Sequence, residues 1–207
     1  MSEFQVRSTI IALVVLAIGF VMSLVATGLP EWTKDFDMTG EPRRRFFKYG
    51  LFQKCETPFI EIEEKWGDTT CIMYETRDIE PGEGDYVMAA RSMIIIGAIF
   101  ALAGVVLSGI YMKVRLSLLG FLVLAASIAS GVFMLITLGI WVQKWSALFL
   151  RYQDRRAYFG VSVYLTVGAA IACGVAAVLY GAVLLMKCRQ DKSLSNKSAS
   201  LPMNPRS

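Results

Sequence analysis

The chain has 207 residues, a formal net charge of +4 and no histidine, and 55% of its residues are hydrophobic. This apolar content exceeds that of an ordinary soluble domain and is typical of a membrane protein. The sequence contains neither a nucleophile elbow nor a phosphate-binding glycine loop, so it does not predict an enzyme. No cofactor, metal ion or nucleic-acid partner is predicted.

Four uncharged apolar runs follow one another along the chain, at residues 8–30, 92–112, 116–143 and 157–186. Each is long enough to cross ~30 Å of hydrocarbon as a helix, so we predict four membrane spans. The first run is interpreted as a signal anchor that stays. It is too long for the apolar part of a signal peptide, and no small-x-small cleavage site follows it.

The predicted organisation has four spans, two outer loops and an inner turn. Its segments are a cytoplasmic N-terminus at 1–7, a first span at 8–30, a first extracellular loop at 31–88, a second span at 89–112, a cytoplasmic turn at 113–115, a third span at 116–143, a second extracellular loop at 144–156, a fourth span at 157–186 and a cytoplasmic tail at 187–207. Small residues in spans two to four predict a compact left-handed bundle. The third and fourth runs are longer than a bilayer needs, which indicates either tilt or helices that project beyond the lipid.

The orientation follows from charge and cysteine placement. The tail carries five basic residues against one acid, and the turn carries Lys113 and Arg115, so both favour the cytoplasm. The second loop opposes this assignment, because it carries Lys144 and three arginines. Cys55 and Cys71 both lie in the polar first loop, where such a pair favours a disulfide, and disulfides persist outside the cytosol. Zinc is the alternative, but two thiolates without a histidine do not complete a structural site.

The first loop is acidic and yet has the pattern of a folded unit. It holds 14 of the 17 acidic residues of the chain, against eight basic ones. The runs FFKYGLF at 46–52 and CIMYE at 71–75 are rich in β-branched and aromatic residues and are bounded by turn residues. The predicted fold class is therefore a membrane α-helical protein, with a four-transmembrane bundle and a small extracellular antiparallel β-sheet that the cysteine pair ties together.

The order of these motifs resembles the claudin superfamily, which includes claudins, peripheral myelin protein and the calcium-channel gamma subunits. The residues similar to its W-GLW-C-C pattern and to its arginine in helix two are Trp32, Gly50, Leu51, Phe52, Cys55, Cys71 and Arg91. YMKVRLSL at 111–118 resembles the short basic inner turn of the family, and YFGVSVYLTVGAA at 158–170 resembles its entry into helix four. The resemblance covers residues 7–188.

Three departures from the family pattern qualify what the resemblance implies. Phe52 stands where tryptophan is usual, and the cysteines are widely spaced, which favours a divergent, invertebrate member. The C-terminus, MNPRS, lacks the apolar last residue that a PDZ groove buries, which argues against a PDZ scaffold as partner.

The resemblance implies a plasma-membrane junction protein. Such a protein binds itself within one membrane and across two cells, mediates cell–cell adhesion and sets paracellular permeability. The alternative is an auxiliary subunit of an ion channel or receptor, because calcium-channel gamma subunits and AMPA-receptor regulatory proteins share the fold and motif.

Several side chains are candidates for the functional site, each with a structural alternative. Glu61, Glu63, Glu64 and Asp68 are candidates for a cation-attracting surface, or they only solvate the loop. Trp145, Phe149, Arg151 and Tyr152 are interface candidates, because exposed aromatics mixed with arginine are typical of binding hot spots, or the apolar ones cap extended helices. Cys188, beside Lys187 and Arg189, is a candidate for palmitoylation or a free thiol.

The motif residues themselves have two interpretations. Trp32, Leu51 and Phe52 are anchors at the membrane surface, and the resemblance implies that they seat the sheet on the bundle. Arg91 either extends its charged group towards the interface or bonds a loop acid or carbonyl.

Overall fold

A computed structural model of the chain describes residues 3–37, 45–60, 65–73, 84–151 and 156–199. Four long helices form a bundle: α1 (Glu3–Gly28), α2 (Gly84–Val114), α3 (Ser117–Arg151) and α4 (Val161–Ala199). Each helix contains an apolar segment long enough to cross a membrane, so the prediction of four spans is confirmed.

The helices pack closely where small residues meet. α1 lies chiefly against α4, and α2 chiefly against α3. A Cβ atom placed on Gly19 of α1 would lie 3.1 Å from the Cβ of Ala172, and one on Gly104 of α2 would lie 3.0 Å from Leu16. These glycines therefore allow neighbouring backbones to approach. At Gly109 and Gly181 an added Cβ would meet no described atom within 4 Å, so small residues alone do not identify the contact surface.

α3 and α4 both extend beyond the uncharged runs of the sequence, and they do so at opposite ends of the molecule. α3 continues from the run at 116–143 to Arg151, and α4 continues from the run at 157–186 to Ala199. α3 continues into the second loop predicted at 144–156, which is a correction, because residues up to Arg151 are helical. α4 continues into the tail. Uncharged length marks the apolar part of a helix, but a helix ends only where its backbone hydrogen bonding ends.

The remaining described segments form the predicted small antiparallel sheet. Its strands are β1 (Thr33–Asp37), β2 (Arg45–Tyr49), β3 (Gln53–Ile60), β4 (Lys65–Trp66), β5 (Thr70–Met73) and β6 (Arg156–Phe159). The order is β4-β3-β2-β1-β6, and β5 also pairs with β3. The fourth span, predicted to begin at residue 157, begins instead after β6, which pairs with β1. The uncharged sequence of 157–159 did not distinguish a strand from a helix.

The buried core forms three clusters along the bundle. The cluster beside the sheet joins Trp32, Leu51 and Trp141 to residues of α2 and α4. A middle cluster surrounds Leu16, Met134 and Cys173. The third, near the short α2–α3 turn, consists of Ala12, Tyr111, Val123 and Tyr180. Two ends result, called here the sheet end and the turn end. The turn end also holds the start of α1, because Gln5 Nε2 lies 3.4 Å from the Oε1 of Gln190.

Candidate functional site

Trp32 fastens the sheet to the bundle. It lies between α1 and β1, and its side chain is completely buried. Its Nε1 donates to the carbonyl of Ala26 at 2.8 Å, and its ring meets that of Trp141 edge-on with centroids 5.3 Å apart. Trp141 in turn donates from Nε1 to Thr33 Oγ1 at 3.0 Å. The two indoles thereby connect α1, α3 and the first strand, with both N–H groups satisfied.

The turn between β2 and β3 is held by α2. Leu51 is completely buried, and its carbonyl accepts a hydrogen bond from Arg91 Nε at 2.5 Å. The guanidinium carbon of Arg91 also lies 5.2 Å from the centroid of the Phe52 ring, within the range of a cation–π contact. Of the alternatives for Arg91, the contact with a loop carbonyl is therefore the one present.

Glycine is required where the sheet crosses the end of α1. A Cβ atom on Gly50 would lie 2.6 Å from the Cα of Pro30. A Cβ on Gly160 would lie 1.9 Å from the carbonyl oxygen of Glu31, a distance that no side chain can occupy. The backbone N–H of Gly160 donates to Trp32 at 2.9 Å, and that of Ser162 donates to Glu31 at 3.1 Å. The first turn of α4 is thereby bonded to the segment that leaves α1.

Cys55 and Cys71 form a disulfide, which confirms the prediction and removes the zinc alternative. They are directly opposite each other in β3 and β5, with Cα atoms 4.0 Å apart. Cys55 is buried, whereas all four residues of β5 are exposed. The bond therefore holds an exposed edge strand to the centre of the sheet.

Glu31 carries the main ion pairs described at the sheet end. Its Oε1 accepts from Lys48 Nζ at 2.8 Å, and its Oε2 lies 3.2 Å from Lys34 Nζ. The hydrogen bond from Lys48 is the largest influence on the pKa of Glu31, and with Lys34 it lowers this pKa below its ordinary 4.5, against the opposing effect of burial. Sequence analysis missed this group, because the two lysines come together only through the pairing of β1 with β2.

Most of the predicted cation-attracting surface lies outside the described residues. Asp68 is exposed, in the segment between β4 and β5. Glu61, Glu63 and Glu64 are not among the described residues, so their arrangement relative to Asp68 stays a prediction.

The predicted interface residues begin on a helix. Trp145, Phe149 and Arg151 belong to the last turns of α3, whereas Tyr152 lies outside the described residues. The preceding base, Lys144, places its Nζ 4.7 Å from the centroid of the Tyr86 ring on α2. The candidate interface is therefore a continuation of α3 at the sheet end.

Cys188 lies near the turn end of α4 and is exposed. Its neighbour Lys187 donates from Nζ to the carbonyl of Arg115 at 2.8 Å. The thiol lies on the part of α4 that continues past the predicted fourth span at 157–186, and its acylation stays a prediction.

The described segments contain no group of three histidine, cysteine, aspartate or glutamate side chains that could hold a metal ion. No protein-family model and no curated protein matches the chain. The functional argument consequently depends on the contacts given above.

Proposed function

We propose that this chain is a claudin-like junction protein of the plasma membrane, without enzymatic activity. In this proposal it adheres to copies of itself within one membrane and across two cells, and it sets a paracellular barrier or a cation-favouring permeability. The observation that carries the proposal is the firm attachment of the sheet to the bundle. Trp32, Leu51 and Arg91, the residues of the family resemblance, make the contacts of this attachment.

A firmly attached sheet suits adhesion for a physical reason. Association costs free energy for every side chain and loop that must be ordered, so a surface already held in place loses less on binding. The disulfide, the two indoles and the Arg91 contact hold the strands before any partner arrives. A sheet with this support can keep the same binding surface when a mechanical force pulls on the adhering cells.

Cation preference is proposed from the acidic surplus of the first loop. Between residues 31 and 88 there are 14 acidic and eight basic residues. Such a surface raises the local concentration of cations within a Debye length of ~8 Å at physiological salt. The proposed source of this field is Asp68, which is exposed, together with Glu61, Glu63 and Glu64, which precede it in the sequence.

The test is a permeability measurement on epithelial monolayers that express the protein. Replacing Glu61, Glu63, Glu64 and Asp68 by their amides removes four negative charges at nearly constant shape. We expect a lower sodium-over-chloride preference, most clearly at low ionic strength, where screening is weak. The matched control replaces Glu75, Asp78, Glu80 and Glu83 by their amides, with the same charge change in the same loop. Equal effects of the two variants would contradict a local role for the first group.

The orientation belongs to the same proposal. Both termini are placed in the cytoplasm, with the disulfide-linked sheet outside. Asn196, near the end of α4, lies in the sequon Asn-Lys-Ser, which would be accessible to glycosylation only on the outer side. We expect that glycosidase treatment leaves the mass of the protein unchanged. A glycosidase-sensitive mass that Asn196→Gln removes would overturn the orientation.

An auxiliary subunit of an ion channel or receptor is the second candidate. The observation that favours it is the extension of α3 to Arg151, which continues the helix beyond its uncharged run at 116–143. Helix and sheet together offer a surface on which a channel subunit can dock. Residues 145–156 of this region carry aromatic side chains and three arginines, a composition typical of interfaces.

Purification from native membranes separates the two functions. The junction proposal predicts recovery with other copies of the same chain, and aggregation of otherwise non-adherent cells that express it. Recovery in a fixed ratio with a channel, without such aggregation, would instead support the auxiliary role.

A further inference from the structure

The turn end of the bundle carries a concentrated positive charge that the proposed function does not use. The described segments at this end, namely residues 3–7, 113–115 and 187–199, contain seven basic and two acidic residues. Lys113, Arg115 and Arg189 are exposed, and Lys187 is half-buried. One of the two acids, Glu3, is already within 2.5 Å of Arg7. The net charge of +5 of these described segments exceeds the +4 of the whole chain.

The geometry of the turn links three of these bases. Arg115 ends α2 with its N–H donating to the carbonyl of Tyr111 at 2.9 Å, and α3 begins two residues later. The carbonyl of Arg115 accepts from Lys187 Nζ at 2.8 Å, which holds α4 against the turn. Lys113, Arg115 and Lys187, called here the turn bases, therefore come from three elements and meet at one level of the bundle. Lys187 keeps two further N–H donors for other acceptors.

The backbone at Arg115 is unfavourable for a residue with a side chain. Its φ of 58° lies in the left-handed region, where most helices that end in this way have glycine. An arginine here carries a conformational cost that glycine avoids. Interactions of its exposed guanidinium with a ligand would offset this cost. Strained backbone positions are commonly found at binding sites.

An apolar surface adjoins the turn bases on the membrane side. Leu116, Leu118, Phe121 and Leu185 are each more than half exposed. Leu116 lies in the turn, Leu118 and Phe121 lie at the start of α3, and Leu185 lies on α4. The two helices are adjacent here, since a Cβ added to Gly120 would touch the Leu184 side chain. A charged group with apolar surface directly next to it is complementary to a phospholipid, which joins an anionic headgroup to acyl chains.

We propose that the turn bases bind the headgroup of an anionic phospholipid in the leaflet at the turn end, with its acyl chains against Leu118, Phe121 and Leu185. Basic pockets between membrane helices bind anionic headgroups in this way. Through this site the turn end would prefer anionic phospholipids. This preference does not depend on what the sheet binds.

The test uses the purified full-length protein in nonionic detergent and short-chain phosphatidylserine, with phosphatidylcholine of the same chain length as the reference lipid. Lipid occupancy is measured by native mass spectrometry. The wild type should bind phosphatidylserine more tightly. Replacing Lys113 and Arg115 together by glutamine should weaken this binding roughly 30-fold, if each base near the surface contributes about the usual amount.

Two variants distinguish a site from general attraction or misfolding. Lys54→Gln with Lys144→Gln removes the same charge at the sheet end and should retain wild-type affinity. Lys113→Arg with Arg115→Lys keeps the charges and should retain most of the preference. Equal weakening by the sheet-end pair, no preference in the wild type, or wild-type affinity in the glutamine variant would each overturn the proposal.

Inorganic phosphate serves as the competitor without acyl chains. At equal concentration it should displace little phosphatidylserine, because it lacks the apolar part of the contact. Full displacement would reject a lipid site and assign the turn bases to a soluble anion.

Discussion

The two ends of the bundle are closed in different ways. At the sheet end, backbone groups from distant parts of the chain bond each other, as Gly160 bonds Trp32, and a disulfide adds a covalent link. At the turn end, the closure depends on side chains. Tyr111 and Tyr180 are buried there, and the hydroxyl of Tyr180 is hydrogen-bonded to that of Ser108. The sheet end therefore depends on a few specific bonds, such as the Gly160–Trp32 hydrogen bond and the disulfide. The turn end depends instead on the packing of several side chains.

The two ends also differ in the surroundings of their basic side chains. At the sheet end Lys48 is paired with Glu31, and Arg91 donates to the Leu51 carbonyl. At the turn end Lys113 and Arg115 extend from the short turn and are exposed. Lys48 and Arg91 thus support the fold at the sheet end, whereas Lys113 and Arg115 are the bases that we propose bind a ligand at the turn end.

The largest expected effect is the removal of the buried indole at the sheet end. Trp32→Ala should destabilise the protein by about 3–5 kcal/mol, because it leaves a cavity and breaks the bond to Ala26. All four tryptophans of the chain lie at the sheet end, so the emission of the other three reports unfolding there. Phe4→Ala, at an exposed aromatic of α1, is the matched control and should change little. A similar loss in both variants would contradict the special role of Trp32.

Loss of the disulfide should be next in size. Cys71→Ser removes a link across a sequence separation of 16 residues, which is worth ~3 kcal/mol on the chain-entropy model. Limited proteolysis should cut the sheet, while the four helices stay inserted and resistant.

Three further cysteine variants sharpen this result. Cys55→Ser with Cys71→Ser should be no worse than either single change, because each already removes the bond. Cys188→Ser, at an exposed free thiol, should leave proteolysis unchanged. It should also abolish any acyl-exchange signal if the predicted palmitoylation occurs. Wild-type protease resistance in Cys71→Ser would mean that the disulfide does not support the sheet.

At the turn end a single substitution should cost less. Tyr180→Phe removes the hydrogen bond to Ser108, and hydrogen bonds between membrane helices contribute about 0.6 kcal/mol on average. Thermal unfolding in detergent measures the change. Tyr164→Phe, at an exposed hydroxyl of α4, controls for the loss of the phenol oxygen. A loss as large as that of Trp32→Ala would remove the contrast between the two ends.

A similarly small effect is expected from the dependence of the sheet end on acid. The pKa of Glu31 is lowered below 4.5 in the folded state, so its contribution is fully present above pH 4.5 and is lost as the pH falls through the folded value. For a partly exposed pair we expect about 0.2–1 kcal/mol. Lys48→Gln should reduce this acid dependence, and Lys54→Gln should not. Identical acid unfolding curves for Lys48→Gln and the wild type would exclude the Lys48 contact as its cause.

The bundle was largely predictable, because membrane insertion depends on local composition. A run of about 20 apolar residues satisfies its own backbone as a helix in lipid, wherever it lies in the chain. The presence of four helices, the small sheet and the disulfide followed from such runs and from the cysteine pair. The ends of α3 and α4 did not follow, because charge marks where an apolar run stops and not where backbone hydrogen bonding stops.

By itself the sequence determined which segments are apolar and which residues form the motif. The sequence pattern identifies Trp32, Leu51, Phe52 and Arg91 without specifying their contacts. The tertiary structure alone decided that Arg91 bonds the Leu51 carbonyl, that Glu31 holds Lys34 and Lys48, and that β6 completes the sheet beside β1. Each of these contacts joins residues through strand pairing or through approach of a helix to a loop. Periodicity and composition describe neighbours along the chain, whereas these contacts depend on register and on the path of the backbone in space.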